Sequence, residues 1–324
     1  MVPTILLTGG AGYIGSHTAY LLHTQGYQIV ILDNFSHQQP FNHDWATVIK
    51  GDCGDKELLL SIFSTYPIDA VMHFAGSIEV GQSVKDPAFY YHNNVINSIT
   101  LLEAMRAFSI KHFIFSSSCA VYGDPVDLPM TEDHPYVPLS PYGKNKLCVE
   151  FILQDYARAY GLRSVALRYF NAAGCWPEKG LGEYHAPETH IIPLLVRAAL
   201  NQTPFTVFGS GYPTPDGTCI RDYVHVRDIA QAHLKAYDYL KAGAASAAFN
   251  LGTGTGHSVL SLIKTTEEVC RQSIIIKNAH RRNGDVHTLV ACSDKAQKYL
   301  AWKPQHTDLN SIINDVYEWE KRRL

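Results

Sequence analysis

The chain lacks the marks of a secreted, membrane-spanning or nucleic-acid-binding protein. Its seven cysteines (Cys53, Cys119, Cys148, Cys175, Cys219, Cys270 and Cys292) include no C-x-x-C pair and no even-numbered framework. They read as free thiols in a reducing compartment. No apolar stretch approaches the roughly 18 residues that cross a bilayer. The chain opens Met-Val-Pro-Thr and passes directly into Ile5-Leu6-Leu7, with no basic segment ahead of an apolar one. A soluble, cytoplasmic protein is therefore expected, and the sequons at Asn34 and Asn201 are expected to be chance matches. There is no basic run, and the net charge is −3, so nothing calls for nucleic acid or an anionic membrane. Met and Trp are scarce, at four each, and scattered as packing residues would be.

What is present is apolar bulk, 46% over 324 residues, enough for one large unit and a smaller lobe. The first half alternates β-branched runs with helical patterns. Strands are expected at Thr4–Thr8, Ile29–Leu32, Thr47–Ile49, Ala70–Phe74, His112–Ser116 and Ser164–Arg168, with helices such as Gly12–Thr24, Lys56–Ser64 and Val95–Ala107 between them. Such alternation implies an α/β fold: a Rossmann-type, doubly wound parallel sheet with helices on both faces. After about residue 172 the alternation is lost, and Pro, Gly and charged residues crowd Trp176–Pro193. The expected division is a dinucleotide-binding unit over 1–172 and a smaller C-terminal α/β substrate lobe over 173–324, built on loops at its start, with some segments packing back on the first unit. A lobe placed at the carboxyl ends of the strands would close a cleft.

Thr8-Gly9-Gly10-Ala11-Gly12-Tyr13-Ile14-Gly15 follows the first strand and opens a helix. Gly9, Gly12 and Gly15 permit a tight turn and close backbone approach, while the helix N-terminus favours a pyrophosphate. Asp33 ends the second strand, where a carboxylate accepts ribose hydroxyls and repels a 2′-phosphate, so NAD is favoured over NADP. Gly51-Asp52-Cys53 is expected to flank the adenine, and His73-Phe74-Ala75-Gly76 the middle of the cofactor.

Ser140-Pro141-Tyr142-Gly143-Lys144-Asn145-Lys146 reads as a helix start, with Ser140 as N-cap and Pro141 at the first position. Tyr142 and Lys146 are four apart and share a face. For Tyr142 to act as a base, its phenol must drop about three units from near 10. A neighbouring ammonium and a positive nicotinamide ring both have the right sign. Ser116-Ser117-Ser118, at the end of the fifth strand, offers a hydroxyl to a substrate oxygen. The set points to alcohol–ketone chemistry with hydride transfer to NAD.

With these motifs in place, the sequence resembles the extended short-chain dehydrogenase/reductase superfamily and, within it, the UDP-glucose 4-epimerase family. The resemblance spans nearly the whole chain. It is carried by the glycine motif, His-Phe-Ala-Gly, Tyr-Tyr-x-Asn-Asn, Phe-Ser-Ser-Ser-x-x-Val-Tyr-Gly, Ser-Pro-Tyr-Gly-Lys, Leu-Arg-Tyr-Phe-Asn-Ala-Ala-Gly, Pro-Glu-Thr-His-Ile-Ile-Pro, Asp-Gly-Thr-Cys-Ile-Arg-Asp-Tyr-Val-His-Val and Arg-Arg-Asn-Gly-Asp. It implies catalytic roles for Tyr142, Lys146 and Ser118. Besides the glycines, it implies NAD contacts at Tyr13, Ile14, Asp33, Asn34, Asp52, Cys53, Phe74, Ala75, Gly76, Asn93, Ser116, Tyr142, Lys146, Tyr169 and Phe170. UDP-sugar contacts are implied at Ser118, Tyr142, Asn171, His190, Ile191, Thr206, Phe208, Arg221, Arg282 and Asp285. Arg221 and Arg282 suit a diphosphate, and Asp285 suits ribose hydroxyls.

Two positions depart from the pattern. Ser77-Ile78 stands where some relatives carry a Lys, and Leu289 occupies the position that often gates N-acetyl sugars. Metal binding by His185 and His190 is not expected. The resemblance implies reversible 4-epimerisation of UDP-glucose and UDP-galactose through a 4-keto sugar, by a homodimer joined through helices of the first unit. A 4,6-dehydratase of the same fold needs an acid pair just after the hydroxyl residue, where this chain has Cys119 and Ala120. A UDP-N-acetylglucosamine or UDP-glucuronate epimerase, or a non-catalytic NAD-binding regulator, are the alternatives.

Overall fold

The structure, a computed structural model, describes residues 2–36, 43–281 and 286–323. Six strands of the first half are apolar on both sides: β1 (Thr4–Thr8), β2 (Gln28–Asp33), β3 (Thr47–Lys50), β4 (Ile68–His73), β5 (His112–Ser118) and β6 (Arg163–Tyr169). Alternate side chains enter two cores. Ile5, Leu7, Ile31, Met72 and Ile114 fill one, while Leu6, Val30, Val71, Phe113 and Phe115 fill the other. A strand buried on both faces belongs inside a helix-covered parallel sheet.

The helices of this half are α1 (Tyr13–Thr24), α2 (Lys56–Thr65), α3 (Val80–Lys85), α4 (Pro87–Tyr91), α5 (Asn97–Ala107) and α6 (Pro141–Tyr160). A π-helical turn, His92–Ile96, joins α4 to α5 and takes up the start of the helix expected from Val95. Ser140 caps α6 by accepting from Gly143 N at 3.1 Å, Pro141 stands in the first turn, and Gly161 closes the helix in the left-handed region.

The second half is irregular at its start and then runs through alternating strands and helices. After β7 (Asn171–Ala173) and the irregular stretch before His190 it forms α7 (Ile191–Asn201), β8 (Phe205–Phe208), β9 (Ile220–His225), α8 (Val226–Lys241), β10 (Ala247–Leu251), β11 (Gly256–Ser258), α9 (Val259–Cys270), β12 (Ile276–Ala279), β13 (Thr288–Leu289), α10 (Asp294–Leu300) and α11 (Leu309–Lys321). These strands are short and carry polar residues such as Asn250 and Arg221, which hides their pattern in the sequence.

The main sheet has seven parallel strands in the order β10-β6-β5-β4-β1-β2-β3. The chain thus returns after residue 226 to supply α8 beside α1, and β10 beside β6. Trp302, also fully buried in this core, donates Nε1–H to Asp228 O at 2.8 Å. The remaining strands form a sheet of β11, β9, β13 and β7, and a pair, β8 and β12. Helices α7, α9 and α11 pack together over Leu195, Val196, Leu262, Ile312 and Ile313. Strand order reverses between β1 and β4, which opens a crevice at their carboxyl ends. Among the described residues no helix is long and apolar enough to cross a membrane.

Candidate active site

The crevice begins at the glycine loop. Gly9 has φ +68°, and a Cβ there would lie 2.5 Å from Ala75 N; one on Gly15 would lie 2.4 Å from Gly9 O. The loop, the first turn of α1 and the end of β4 are pressed together so closely that side chains do not fit. No side chain caps α1 and no acid stands in its first turn, so its leading N–H groups and positive end face the crevice. Asp33 accepts from Ala11 N at 3.0 Å and from Phe35 N at 2.8 Å. The carboxylate expected at the ribose therefore also holds the glycine loop in shape.

Asn34 donates to Asp52 Oδ2 at 3.0 Å, and Asp52 Oδ1 accepts from Gly54 N at 2.8 Å and Asn97 Nδ2 at 3.0 Å. Beside them burial pushes the Cys53 thiol up to about 12, leaving a neutral packing surface. Phe74 N and Ala75 N both donate to Thr8 O, at 2.8 and 2.9 Å, which lays residues 74–76 against the loop. Ser77 is buried in a reciprocal bond pair with Asn94, 2.8 Å from Ser77 N to Oδ1 and 3.0 Å from Nδ2 to Ser77 O, while Asn93 Nδ2 donates to Ser77 Oγ at 3.1 Å. An uncapped helix, a loop with no room for Cβ atoms and an acid at the next strand fit a dinucleotide.

Ser118 ends β5, and its Oγ accepts from Ala120 N at 3.2 Å, turning the chain into the short helical turn Cys119–Val121. Tyr142 and Lys146 approach from α6. Lys146 Nζ donates to Ser116 O at 2.7 Å and lies 5.8 Å from the centre of the Tyr142 ring. The Tyr142 phenol differs from expectation. Desolvation by burial pushes it up to about 12, opposed by a hydrogen bond from the Ser118 hydroxyl, and Lys146 is not among the groups that move it. Burial also brings the Lys146 ammonium down to about 8, against the attraction of Glu150. In the chain alone Tyr142 is a neutral phenol, because burial disfavours the phenolate, and the lysine is held at a carbonyl rather than at the phenol oxygen.

Glu150, one turn beyond Lys146, anchors the helix. Arg168, 1% exposed, grips it through Nε–Oε1 at 3.0 Å and Nη2–Oε2 at 2.5 Å. Ser117 Oγ donates to Glu150 Oε1 at 2.5 Å, and Arg168 also donates to Tyr122 OH at 2.8 Å and Tyr136 OH at 3.0 Å. Nearby, His233 donates from Nδ1 to Ile229 O and accepts from Tyr169 OH at 2.7 Å, so the Tyr169 hydroxyl is already committed within the protein. Tyr13 OH is likewise committed, to Gly174 O at 2.5 Å, a bond between the two halves of the chain. Phe170 is buried, with its N–H on Leu251 O at 3.2 Å.

Farther out lies a cavity of about 500 Å³ whose walls include Asn171, His190, Ile191, Thr206, Phe208 and Arg221. Six expected substrate contacts from β7, α7, β8 and β9 thus meet at one place. No side chain caps α7, whose N-terminus opens here with His190 at the cap position. Cys119 senses the charge of Arg221, which links cavity and catalytic turn. Leu289 is not in this wall; it pairs with Arg221 in the sheet and packs on the cluster of Cys119 and Phe170. Arg282 and Asp285 lie outside the described residues. Sequence reasoning missed Arg197, Cys219 and Tyr223, which also line the cavity. Cys219 and Tyr223 flank Arg221 within an already noted motif, which was the available signal.

Residues 5–252 match the model of the NAD dependent epimerase/dehydratase family. The chain belongs to this family. It is 50% identical to the UDP-glucose 4-epimerase of Rhizobium meliloti (strain 1021), over 98% of this chain and 97% of the relative. Among solved structures, the UDP-glucose 4-epimerase of Brucella ovis in complex with NAD superposes with a TM-score of 0.94 at 44% identity, covering 98% of each chain. The enzyme of Stenotrophomonas maltophila, with bound NAD and formylated UDP-arabinopyranose, gives 0.95 at 36% identity, over 99% of this chain and 98% of that one. The family spans two reaction types, and the catalytic turn bears on which applies. Burial pushes the Cys119 thiol up to about 12, and Ala120 has no ionisable group, so neither serves the acid–base elimination of a dehydratase.

Proposed function

We propose that the protein is an NAD-dependent UDP-sugar 4-epimerase that interconverts UDP-glucose and UDP-galactose. The observation that carries this reading is the convergence of Ser118, Tyr142 and Lys146 at the end of β5, between the dinucleotide crevice and the cavity that holds Arg221. NAD would rest on the glycine loop, the N-terminus of α1 and Asp33; when bound it supplies a hydride acceptor and donor, and a positive charge that favours the Tyr142 phenolate.

Tyr142 takes the proton from the 4′-hydroxyl and later returns it, and Ser118 orients that oxygen. Lys146, held at Ser116 O, fixes the floor of the site. The cavity grips the nucleotide: Arg221 and the uncapped end of α7 meet the diphosphate, and Asn171, Thr206 and Phe208 border it. The 4-keto sugar, loosely held, turns about its phosphate linkage and presents its other face. Leu289, intermediate in size, leaves an N-acetyl sugar as an arm of the test.

The same proposal divides the chain near residue 172, with α8 and β10 returned to the first unit. It includes a homodimer through the exposed apolar residues Val84, Phe89, Ile96 and Phe151 on the helices of that unit. A cytoplasmic location fits seven free thiols. The experiment offers UDP-galactose, UDP-N-acetylgalactosamine and UDP-glucuronate separately and resolves the epimers by chromatography. UDP-glucose should form from the first. Tyr142→Phe should abolish turnover while NAD stays bound. Absence of interconversion with all three sugars would overturn the reading.

A further inference from the structure

We propose that Glu183, His185, Glu188 and His190 form a binding site for one divalent transition-metal ion of the zinc class. Glu183 and Glu188 were not singled out from sequence; the loop before α7 brings them to the two histidines. One ligand atom from each of the four lies within 4.8 Å of all the others. His185 Nδ1 is 3.0 Å from Glu183 Oε1 and 3.9 Å from Glu188 Oε1, and His190 Nδ1 faces the same Glu183 oxygen. Zinc with ligands at about 2.0–2.1 Å sets tetrahedral donors about 3.4 Å apart, so these four close on an ion with small side-chain movements. His185 Nδ1 is buried and makes no hydrogen bond despite its nearness to that oxygen. Two ligands of one metal are disposed in this way, side by side and not aimed at each other.

The chemistry of the set selects the ion. Two imidazoles and two carboxylates suit zinc and its neighbours, whereas magnesium and calcium take oxygen donors. The two carboxylates balance the charge of the ion. The surroundings hold the ligands in place: Glu188 Oε1 accepts from Thr189 N and His190 N, both at 2.9 Å, and Trp319 Nε1 donates to Glu183 O at 2.9 Å. Two cations stand beside the set: Arg197 lies 3.4 Å from Glu188 but is gripped by Glu320 at 2.8 and 2.9 Å, and Arg323 Nη1 donates to the Glu183 carbonyl at 3.3 Å and to Glu320 at 3.2 Å rather than to a ligand carboxylate. An ion here ties α11 to the start of α7 and sets the cavity wall at His190. The role is structural, and it does not depend on the reaction proposed above.

The test uses untagged full-length protein, stripped with chelator and desalted. Zinc chloride is added, excess is removed, and metal is counted by plasma mass spectrometry; affinity comes from calorimetry and melting from circular dichroism. One zinc per chain and a raised Tm are expected, with no effect of magnesium. His185→Gln should weaken zinc binding by more than the roughly 10–100-fold typical of an outer-sphere partner, while keeping its circular dichroism spectrum. Glu183→Gln serves as the second variant, and loss of zinc in either supports the site. Equal zinc content in wild type and both variants, or no zinc retained by the wild type, would overturn it: ion pairs alone would then hold the cluster.

Discussion

Replacing Glu150 by Gln tests whether the buried ion pair beneath the active site holds α6 where Tyr142 needs it. The substitution keeps shape and removes one negative charge. Arg168 then keeps its cation, 1% exposed, bonded to the hydroxyls of Tyr122 and Tyr136 and a neutral amide, with the more distant Glu132 as the carboxylate that still feels its charge. Removing one partner of a buried pair costs about 3–5 kcal/mol. That is a large share of a native stability on the order of 5–15 kcal/mol. Glu150 is also the charge that supports the Lys146 ammonium, so its loss lowers the lysine further and weakens turnover near neutral pH.

The assay is urea unfolding of the wild type, Glu150→Gln, Arg168→Met and the double variant. The pair predicts a strongly unfavourable Glu150→Gln and a double variant more stable than the sum of the two single losses, because no charge is left stranded. A loss under about 1 kcal/mol for Glu150→Gln, the range of an exposed pair, together with additive behaviour, would refute the reasoning.

Acid should unfold the protein early. His17, His73 and His233 are buried and their imidazoles are lowered by desolvation to about 4, 3 and 4. The unfolded chain takes up protons at 6.5 that the native state refuses, so stability falls as pH drops. From pH 6.5 to 5 the loss is about 1.6 kcal/mol for each, about 5 in all. His185 and His190, raised by Glu183, act the other way and lose their contribution on the alkaline side. A flat urea midpoint across that window would rule this out. Gly15→Ala should strip NAD from the purified protein, since the new Cβ meets the backbone of Gly9 at 2.4 Å, while Gly81→Ala, with open space around it, keeps its cofactor; the ratio of bound NAD to protein decides it. Asp33→Ala should weaken NAD by about tenfold or more, or 1.4 kcal/mol, through loss of both the ribose acceptor and the Ala11 bond, and should narrow the preference over NADP; unchanged affinities by calorimetry would count against it.

The parts of this architecture that repeat a local rule could be read from the chain. The first six strands are apolar runs, the first three closed by Gly9, Asp33 and Gly51, and the cap at Ser140 and the glycine loop each follow from local backbone geometry. What escaped depends on distant pairing. β10 is five residues long and is made a strand by the open edge of β6. The raised phenol of Tyr142 could not be foreseen from a four-residue spacing, because a spacing gives a shared helix face but neither the burial that raises the phenol nor the carbonyl at Ser116 that holds Lys146. The cavity was legible residue by residue only through resemblance. His190, Thr206 and Arg221 come from three elements that no periodicity joins.

The return of the chain to the main sheet has a consequence for how the protein is made. On the ribosome, the dinucleotide unit cannot be finished when residue 172 emerges. Until β10 arrives, β6 presents a bare edge, and until α8 arrives one face of α1 is uncovered. A nascent chain must therefore hold an open-edged, aggregation-prone sheet through about 80 further residues of synthesis. Only once residue 251 has left the exit tunnel can that edge be sealed.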